Sequence, residues 1–168
     1  LRGMLGSTQV ATRAKVDGFP IAARSENDTG NNPHNPMYGI NRIGVEKYLY
    51  GVMHHEVAPW WPMEALKAQA IAARTYALYQ ASVNKVQEFD LKSSTSSQVY
   101  GGSTTERFRT RRAIDLTAGK VLLYQGKLFP AYFHATCAGI TANAAELWKI
   151  SLPPIAGGVH CSYCRIST

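Results

Sequence analysis

The stretch from Pro62 to about Ser82 constrains this chain more than any other. Met63, Leu66, Ala70, Ala73 and Ala77 recur at spacings of three and four, the period of one helix face. The segment is rich in Ala, Leu, Lys and Gln, which are strong helix formers. Pro62 suits the first helical position, where its missing N–H leaves nothing unpaired. Alanines along the stripe let a neighbouring element approach closely, so the pattern predicts a long buried helix at the centre of the fold. No apolar run in the 168 residues approaches the length of a membrane-spanning helix.

Other elements arrange themselves around that helix. Val45, Leu49 and Val52 share one face and predict a shorter helix before it. Residues 53–61 then read as a break, because Pro59 ends any helix ahead of it. Residues 107–118 predict a third helix, with Gly119 as its C-terminal cap. Val121–Tyr124 and Leu128–His134 flank Gln125-Gly126-Lys127 and predict a β-hairpin. Alternation over Tyr38–Ile43 predicts a strand, and Arg13–Ile21 reads as strands around an Asp17-Gly18 turn. Residues 25–36, dense in Asn, Asp, Gly and Pro, predict a mobile loop. Residues 83–106 are polar, Thr136–Ala145 are small and polar, and a Pro- and Gly-rich stretch runs to His160. No repeat or low-complexity linker divides the chain. Residues 1–36 are expected to form one unit with 37–168, whose C-terminal segment carries the Cys and His residues.

Hydrophobic residues at 45% and charged residues at 17% are the proportions of a folded globular protein. The net charge of +7 suits an anionic partner: nucleic acid, an anionic membrane surface or an anionic cell-wall polymer. The densest basic stretch is Arg107, Arg109, Arg111 and Arg112, which also reads simply as a solvated face. Leu1–Leu5 lacks the apolar core and cleavage site of a secretory leader, so the chain reads as a mature or truncated segment.

Two constellations carry chemistry. Glu56 lies between the first two predicted helices, preceded by His54 and His55 and followed by Pro59, Trp60 and Trp61. A carboxyl group beside apolar aromatic surface is desolvated, which raises its pKa toward the range useful for proton transfer. Exposed tryptophans also stack well on sugar rings. The plainer role for a carboxylate at such a turn is a helix cap. No zinc-protease arrangement is present, because no second His follows at the required spacing. The second constellation is His160-Cys161-x-x-Cys164, with His134-x-x-Cys137 earlier. Three thiolates and an imidazole suit a closed tetrahedral zinc site. A Cys161–Cys164 disulfide with Cys137 free, or three unpaired thiols, stand as the alternatives. The hydroxyl-rich Ser93–Ser97 run reads as a loop.

The ordered strings Tyr48-Leu49-Tyr50-Gly51-Val52, Glu56, Trp61–Ala77, Ser97–Gly102, Gly119–Leu122 and Ala131–His134 resemble the stage II sporulation protein D family. The resemblance covers roughly residues 40–150. It implies a lytic transglycosylase of peptidoglycan. Such an enzyme cuts between N-acetylmuramic acid and N-acetylglucosamine in peptide-free strands and leaves 1,6-anhydro ends. The family's essential glutamate maps to Glu56, acting as general acid and then as base. Arg74, Gln98, Tyr100, His134, Thr136 and Thr141 are the expected substrate-binding residues. Cys137, His160, Cys161 and Cys164 are the expected ligands of a structural zinc, as some relatives carry. Other relatives bind and activate a wall amidase without cleaving glycan, and that is the alternative reading. Either role implies an extracytoplasmic setting with peptidoglycan strands, and in the second case an amidase, as partners. The central helix motif argues against a nucleic-acid binder. His55 and Val57 depart from the family's usual Ser and Met, and Thr136-Cys137-Ala138-Gly139 from its Ser-Gly-Gly. The expected fold is α+β: the long helix on a mixed, mostly antiparallel sheet, with a substrate groove at the helix–helix break.

Overall fold

A computed structural model describes residues 8–11, 20–24, 40–84 and 88–164. The strands are β1 (Thr8–Ala11), β2 (Pro20–Arg24), β3 (Ile40–Gly44), β4 (Leu91–Lys92) and β5 (Val121–Tyr124). The helices are α1 (Val45–Glu56), α2 (Met63–Val83), α3 (Phe108–Leu116) and α4 (Ala144–Trp148), with 3-10 turns at Ser103–Thr105 and Pro153–Ile155. The fold is α+β. Strand pairing is mixed and mostly antiparallel, divided between two small sheets. β1 runs antiparallel to β5; β2 lies between antiparallel β3 and parallel β4. Ile21 faces Ile43 across the β2–β3 ladder. The expected turn at Asp17-Gly18 and the loop at 25–36 lie outside the described residues.

The long helix forms where its periodicity places it and is central. Leu66, Ala70, Ala73 and Ala77 are completely buried. Their short side chains bring α2 against α1, which contributes Tyr48, Leu49, Val52 and Met53, and against α3, which contributes Ala113 and Ile114. Val121 of β5 and Leu91 of β4 join the same core. Burying each large aliphatic side chain here stabilises the fold by roughly 1.5–3 kcal/mol.

One residue in that core is charged. Arg74, on α2, is completely buried. Its Nε and Nη2 donate to Glu46 Oε1 and Oε2 at 2.9 and 2.7 Å. Nη1 donates to the Lys120 carbonyl at 3.0 Å, and Nη2 also to the Ile114 carbonyl at 3.3 Å. Glu46 Oε1 additionally accepts from the Gly119 N–H at 3.1 Å. A guanidinium taken out of water must be paired and hydrogen-bonded throughout, and here it is. Arg74 therefore ties α1, α2 and the end of α3 together; it does not line the cleft, where the sequence reading placed it.

Three local expectations shift. Helix α1 does not break at Met53 but runs to Glu56. Met53 is completely buried, one turn beyond Leu49, so it extends the apolar stripe; Pro59 restricts only the residue just before it. The hairpin turn forms, with Tyr124 and Lys127 exchanging backbone bonds of 2.9 and 3.0 Å around Gln125 and Gly126, both at positive φ. Its second arm is not a strand, and β5 pairs with β1 instead; Pro130 has no N–H to give to a ladder. Helix α4 begins at the end of the segment read only as small and polar and runs on to Trp148; it starts where the Asn143 side chain accepts from the Ala145 N–H at 3.0 Å.

Removing Glu46 strands a buried cation. Glu46→Ala is expected to cost about 3 kcal/mol, the lower end of the usual range for breaking a buried pair because Arg74 keeps its carbonyl partners. Urea unfolding measures it, and a loss below about 1 kcal/mol would show the pair to be dispensable.

Candidate functional site

Glu56 is the last residue of α1, so it sits on a helix rather than in the break. It does not cap α2: the residue before that helix is Pro62, and no side chain caps it. Glu56 is half-buried, and among the described residues it makes no ion pair and accepts no hydrogen bond. Burial pushes its carboxyl above the ordinary value. The helix adds to this, because a carboxylate at a C-terminus meets the negative end of the helix dipole. Desolvation leads that rise, and no second carboxylate among the described residues contributes to it. Two phenols stand close enough to respond: burial first, and the Glu56 charge after it, push Tyr48 and Tyr76 upward.

The histidines before Glu56 differ in role. Burial, then its neighbour His54, lowers the His55 pKa, which favours the neutral imidazole. His54 lies 5.6 Å from it, ring to ring, and its Nδ1 is buried without a partner among the described residues.

Tyr76, which feels the Glu56 charge, lines an open cavity of about 150 Å³ together with Thr95, Ser96, Ser97, Gln98, Tyr132, Phe133 and Trp148. One wall is aromatic. Tyr132 stacks on Trp148 at 4.0 Å and 14° between planes, and Tyr76 meets Tyr132 at 6.0 Å. The hydroxyl-rich loop Thr95–Ser97 also lines it. Gln98 is almost wholly buried; its Oε1 accepts from the Tyr48 hydroxyl at 3.3 Å and its Nε2 donates to the Ala73 carbonyl at 3.3 Å. Aromatic faces and hydroxyls lining one cavity suit a ring with polar edges and an apolar face, such as a sugar.

Of the expected substrate-binding residues, Gln98 alone lines this cavity. Tyr100 instead stacks on Tyr48 at 5.3 Å and accepts from the Asn41 side chain at 3.2 Å. It packs so closely on α1 that a Cβ at Gly51 would come within 2.6 Å of its ring. His134 is exposed beside Phe133, outside the lining. Thr136 and Thr141 shape the loop beyond. Thr136 Oγ1 accepts from the Ala138 N–H at 3.5 Å, and Thr141 Oγ1 from the Val159 N–H at 3.0 Å. Tyr76, Tyr132, Trp148 and the Thr95–Ser97 hydroxyls were not expected as site residues. An aromatic spaced for a helix face and a hydroxyl run between elements carry no local mark of the cavity they share.

The thiols of Cys137, Cys161 and Cys164 lie within 4.8 Å of one another. Hydrogen bonds, first from the Cys137 backbone and then from the other thiols, hold Cys164 down to about 7. No disulfide joins them. Among the described residues no histidine completes the group: His160, expected as the fourth ligand, is instead paired backbone-to-backbone with Ile140. A tripod of thiols is a soft donor set able to hold a metal ion. Gly157 lets the strand of chain before Cys161 fold against Ala142: it has φ 73°, and a Cβ there would lie 2.5 Å from the Ala142 carbonyl carbon.

Comparison with known proteins bears on the same segments. Residues 34–124 match the SpoIID family, described as stage II sporulation protein. An uncharacterised protein of Brachyspira hyodysenteriae (strain ATCC 49526 / WA1) is 42% identical over 136 residues, covering 79% of this chain and 36% of that protein. An amidase enhancer of Bacillus subtilis (strain 168) is 38% identical over 105 residues, 62% of this chain and 14% of that protein. The stage II sporulation protein D of Bacillus amyloliquefaciens is 30% identical over 131 residues, 69% of this chain and 38% of that protein. The chain thus spans well under half the length of each of these relatives. The family match takes in α1, the α1–α2 connection, α2 and β5, the elements that carry Glu56 and Tyr76, and the chain belongs to the stage II sporulation protein D family.

Proposed function

We propose that this chain cleaves peptidoglycan glycan strands as a lytic transglycosylase, with Glu56 as its single acid and base. The carrying observation is a half-buried carboxyl, free of ion pairs among the described residues and held above its ordinary pKa, whose charge reaches a tyrosine that lines an aromatic and hydroxyl cavity. A raised pKa keeps the proton available for transfer at working pH. Glu56 would give its proton to the glycosidic oxygen as the bond from N-acetylmuramic acid breaks. Its carboxylate would then take the proton of that sugar's C6 hydroxyl as the hydroxyl oxygen attacks the anomeric carbon. A 1,6-anhydro ring closes, the acid is regenerated, and no water is consumed. Ordinary glycosidases need a second carboxylate, as nucleophile or to activate water; this route does not, and no second carboxylate among the described residues contributes to the raised pKa of Glu56.

A second reading has its own support. The 38%-identical relative is named an amidase enhancer, so the same fold in this chain would bind the wall and activate an N-acetylmuramoyl-L-alanine amidase without cutting glycan. Both readings set the protein outside the cytoplasmic membrane, where peptidoglycan lies. No helix among the described residues is long and apolar enough to cross a membrane.

Zinc suits the thiol tripod, being a borderline-soft ion with a strong preference for thiolate donors. Cys137, Cys161 and Cys164 would hold it, with the fourth position filled by a donor outside the cluster. Its contribution would be structural: it would tie the loop after Phe133 to the segment around Cys161, behind the wall that Trp148 supplies.

Three measurements bear on these proposals. Wild-type protein incubated with peptide-free strands should yield anhydro-muramyl ends by mass spectrometry, and Glu56→Gln should lower the rate by roughly 10²–10⁴-fold. Absence of anhydro product from the wild type would remove the enzyme reading in favour of the amidase partner. The second is a stability profile. Because the folded-state pKa of Glu56 is raised, its proton is lost at a cost to the fold as pH climbs through that value, and no difference remains below the ordinary value of 4.5. Glu56→Gln should therefore melt above the wild type at neutral pH and level with it in acid; equal melting at both would mean the carboxyl is not desolvated. The third concerns metal. Protein purified without chelator should carry about one zinc equivalent, lost in Cys161→Ser, and metal-free wild type would exclude the zinc site.

A further inference from the structure

The connection between α1 and α2 carries an unusual surface. Trp60 is 80% exposed and Trp61 44% exposed, although large indoles are ordinarily covered. They follow Glu56 by four and five residues, on a short loop with little to hold it from within: Trp61 N–H to the Ala58 carbonyl, at 3.1 Å, is its own turn. The fastening comes from α3. Arg109 Nε donates to the Pro59 carbonyl at 2.8 Å and its Nη2 to the Trp61 carbonyl at 3.0 Å. One planar fork thus grips the backbone on both sides of Trp60.

From this geometry we infer that Arg109 is a positioning residue: it clamps the Pro59–Trp61 backbone so that Trp60 and Trp61 form a rigid aromatic platform for further sugars of a carboxylate-bearing glycan strand next to Glu56. The inference rests on the glycan reading above. A loop already held needs no ordering when ligand binds, so less binding energy is lost to entropy. The occupant follows from what surrounds the indoles. Phe108, 77% exposed, precedes Arg109 on α3 and adds apolar surface. Arg112 is exposed on the same helix and makes no ion pair among the described residues. Arg107, exposed just before the helix, donates to the Thr104 and Glu106 carbonyls at 3.4 and 3.0 Å. Arg111 is paired with Glu106 at 3.2 Å and lies over the Tyr50 ring at 4.7 Å. Flat aromatic faces beside exposed guanidinium groups match a polymer whose rings offer apolar faces and whose substituents offer carboxylates. N-acetylmuramic acid without its stem peptide has that chemistry, through its free lactyl group.

Tryptophan fluorescence provides the test, since all three indoles of the chain, Trp60, Trp61 and Trp148, fall on the connection or in the cavity wall. Soluble peptide-free strands are titrated into the wild type, Arg109→Gln, Trp60→Ala and the double variant. Arg109→Gln should weaken binding by roughly tenfold, raise KM by a similar factor, leave kcat nearly unchanged and keep the wild-type urea midpoint. Trp60→Ala should do the same, and the double variant should lose less than the two single losses combined, because the clamp acts through the platform that Trp60 shares with Trp61. Binding by Arg109→Gln equal to the wild type, or losses that add in the double variant, would overturn the positioning role while leaving the glycan reading intact. No quenching of the wild type by strands would remove both together, and quenching by anionic phospholipid vesicles in that case would make the surface a membrane contact.

Discussion

The buried pair between Arg74 and Glu46 is the interaction on which the rest of this fold depends. A charge with no solvent exposure is tolerable only when every donor it carries is answered, and the answers come from α1, from the end of α3 and from the turn leading to β5. Those partners are far apart in the chain. They meet only if α2 lies flat against α1, and that approach is possible because Ala70, Ala73 and Ala77 present methyl groups where larger side chains would hold the helices apart. Hydrophobic burial supplies the driving force, which is non-directional; the guanidinium supplies direction, since its fork accepts one arrangement.

That arrangement determines where α1 ends and what its last residue experiences. The stripe of Leu49, Val52 and Met53 keeps α1 seated to its final turn, which carries Glu56 to the edge of the core with one side toward Tyr48 and Tyr76. The carboxyl is there at a cost: it is partly stripped of water, at the unfavourable end of a helix dipole, and without a cationic partner among the described residues. Groups placed against their own electrostatics in this way concentrate at functional sites. Tyr76, on α2, both feels the Glu56 charge and lines the cavity. Trp148 of α4 stacks on Tyr132 and so joins the later part of the chain to the cavity wall.

Much of this was legible in the residues. The period of Met63, Leu66, Ala70, Ala73 and Ala77 is a local property and specifies a buried helix wherever it occurs. The setting of Glu56 beside the α1–α2 connection and the grouping of Cys137 with Cys161 and Cys164 were likewise readable from residue type and motif. The less legible features share one cause. Arg74 looks like a cleft residue because its charge argues for solvent, but Glu46, twenty-eight positions away, draws it inside. Tyr100 and His134 look like ligand contacts by type, yet one packs over Gly51 and the other stands clear of the cavity.

The sequence by itself thus determined the central helix, the carboxyl group and the family to which they belong, because helical periodicity and motif spacing are written in neighbouring residues. Only the tertiary structure decided which polar groups face the core and which face the cavity. That Arg74 is a brace, that Arg109 grips the loop bearing Trp60, and that Tyr76, Tyr132, Trp148 and the Thr95–Ser97 hydroxyls share one cavity all depend on contacts between distant segments. Such contacts are settled by packing and by the need to satisfy each buried polar group, and no local pattern records them.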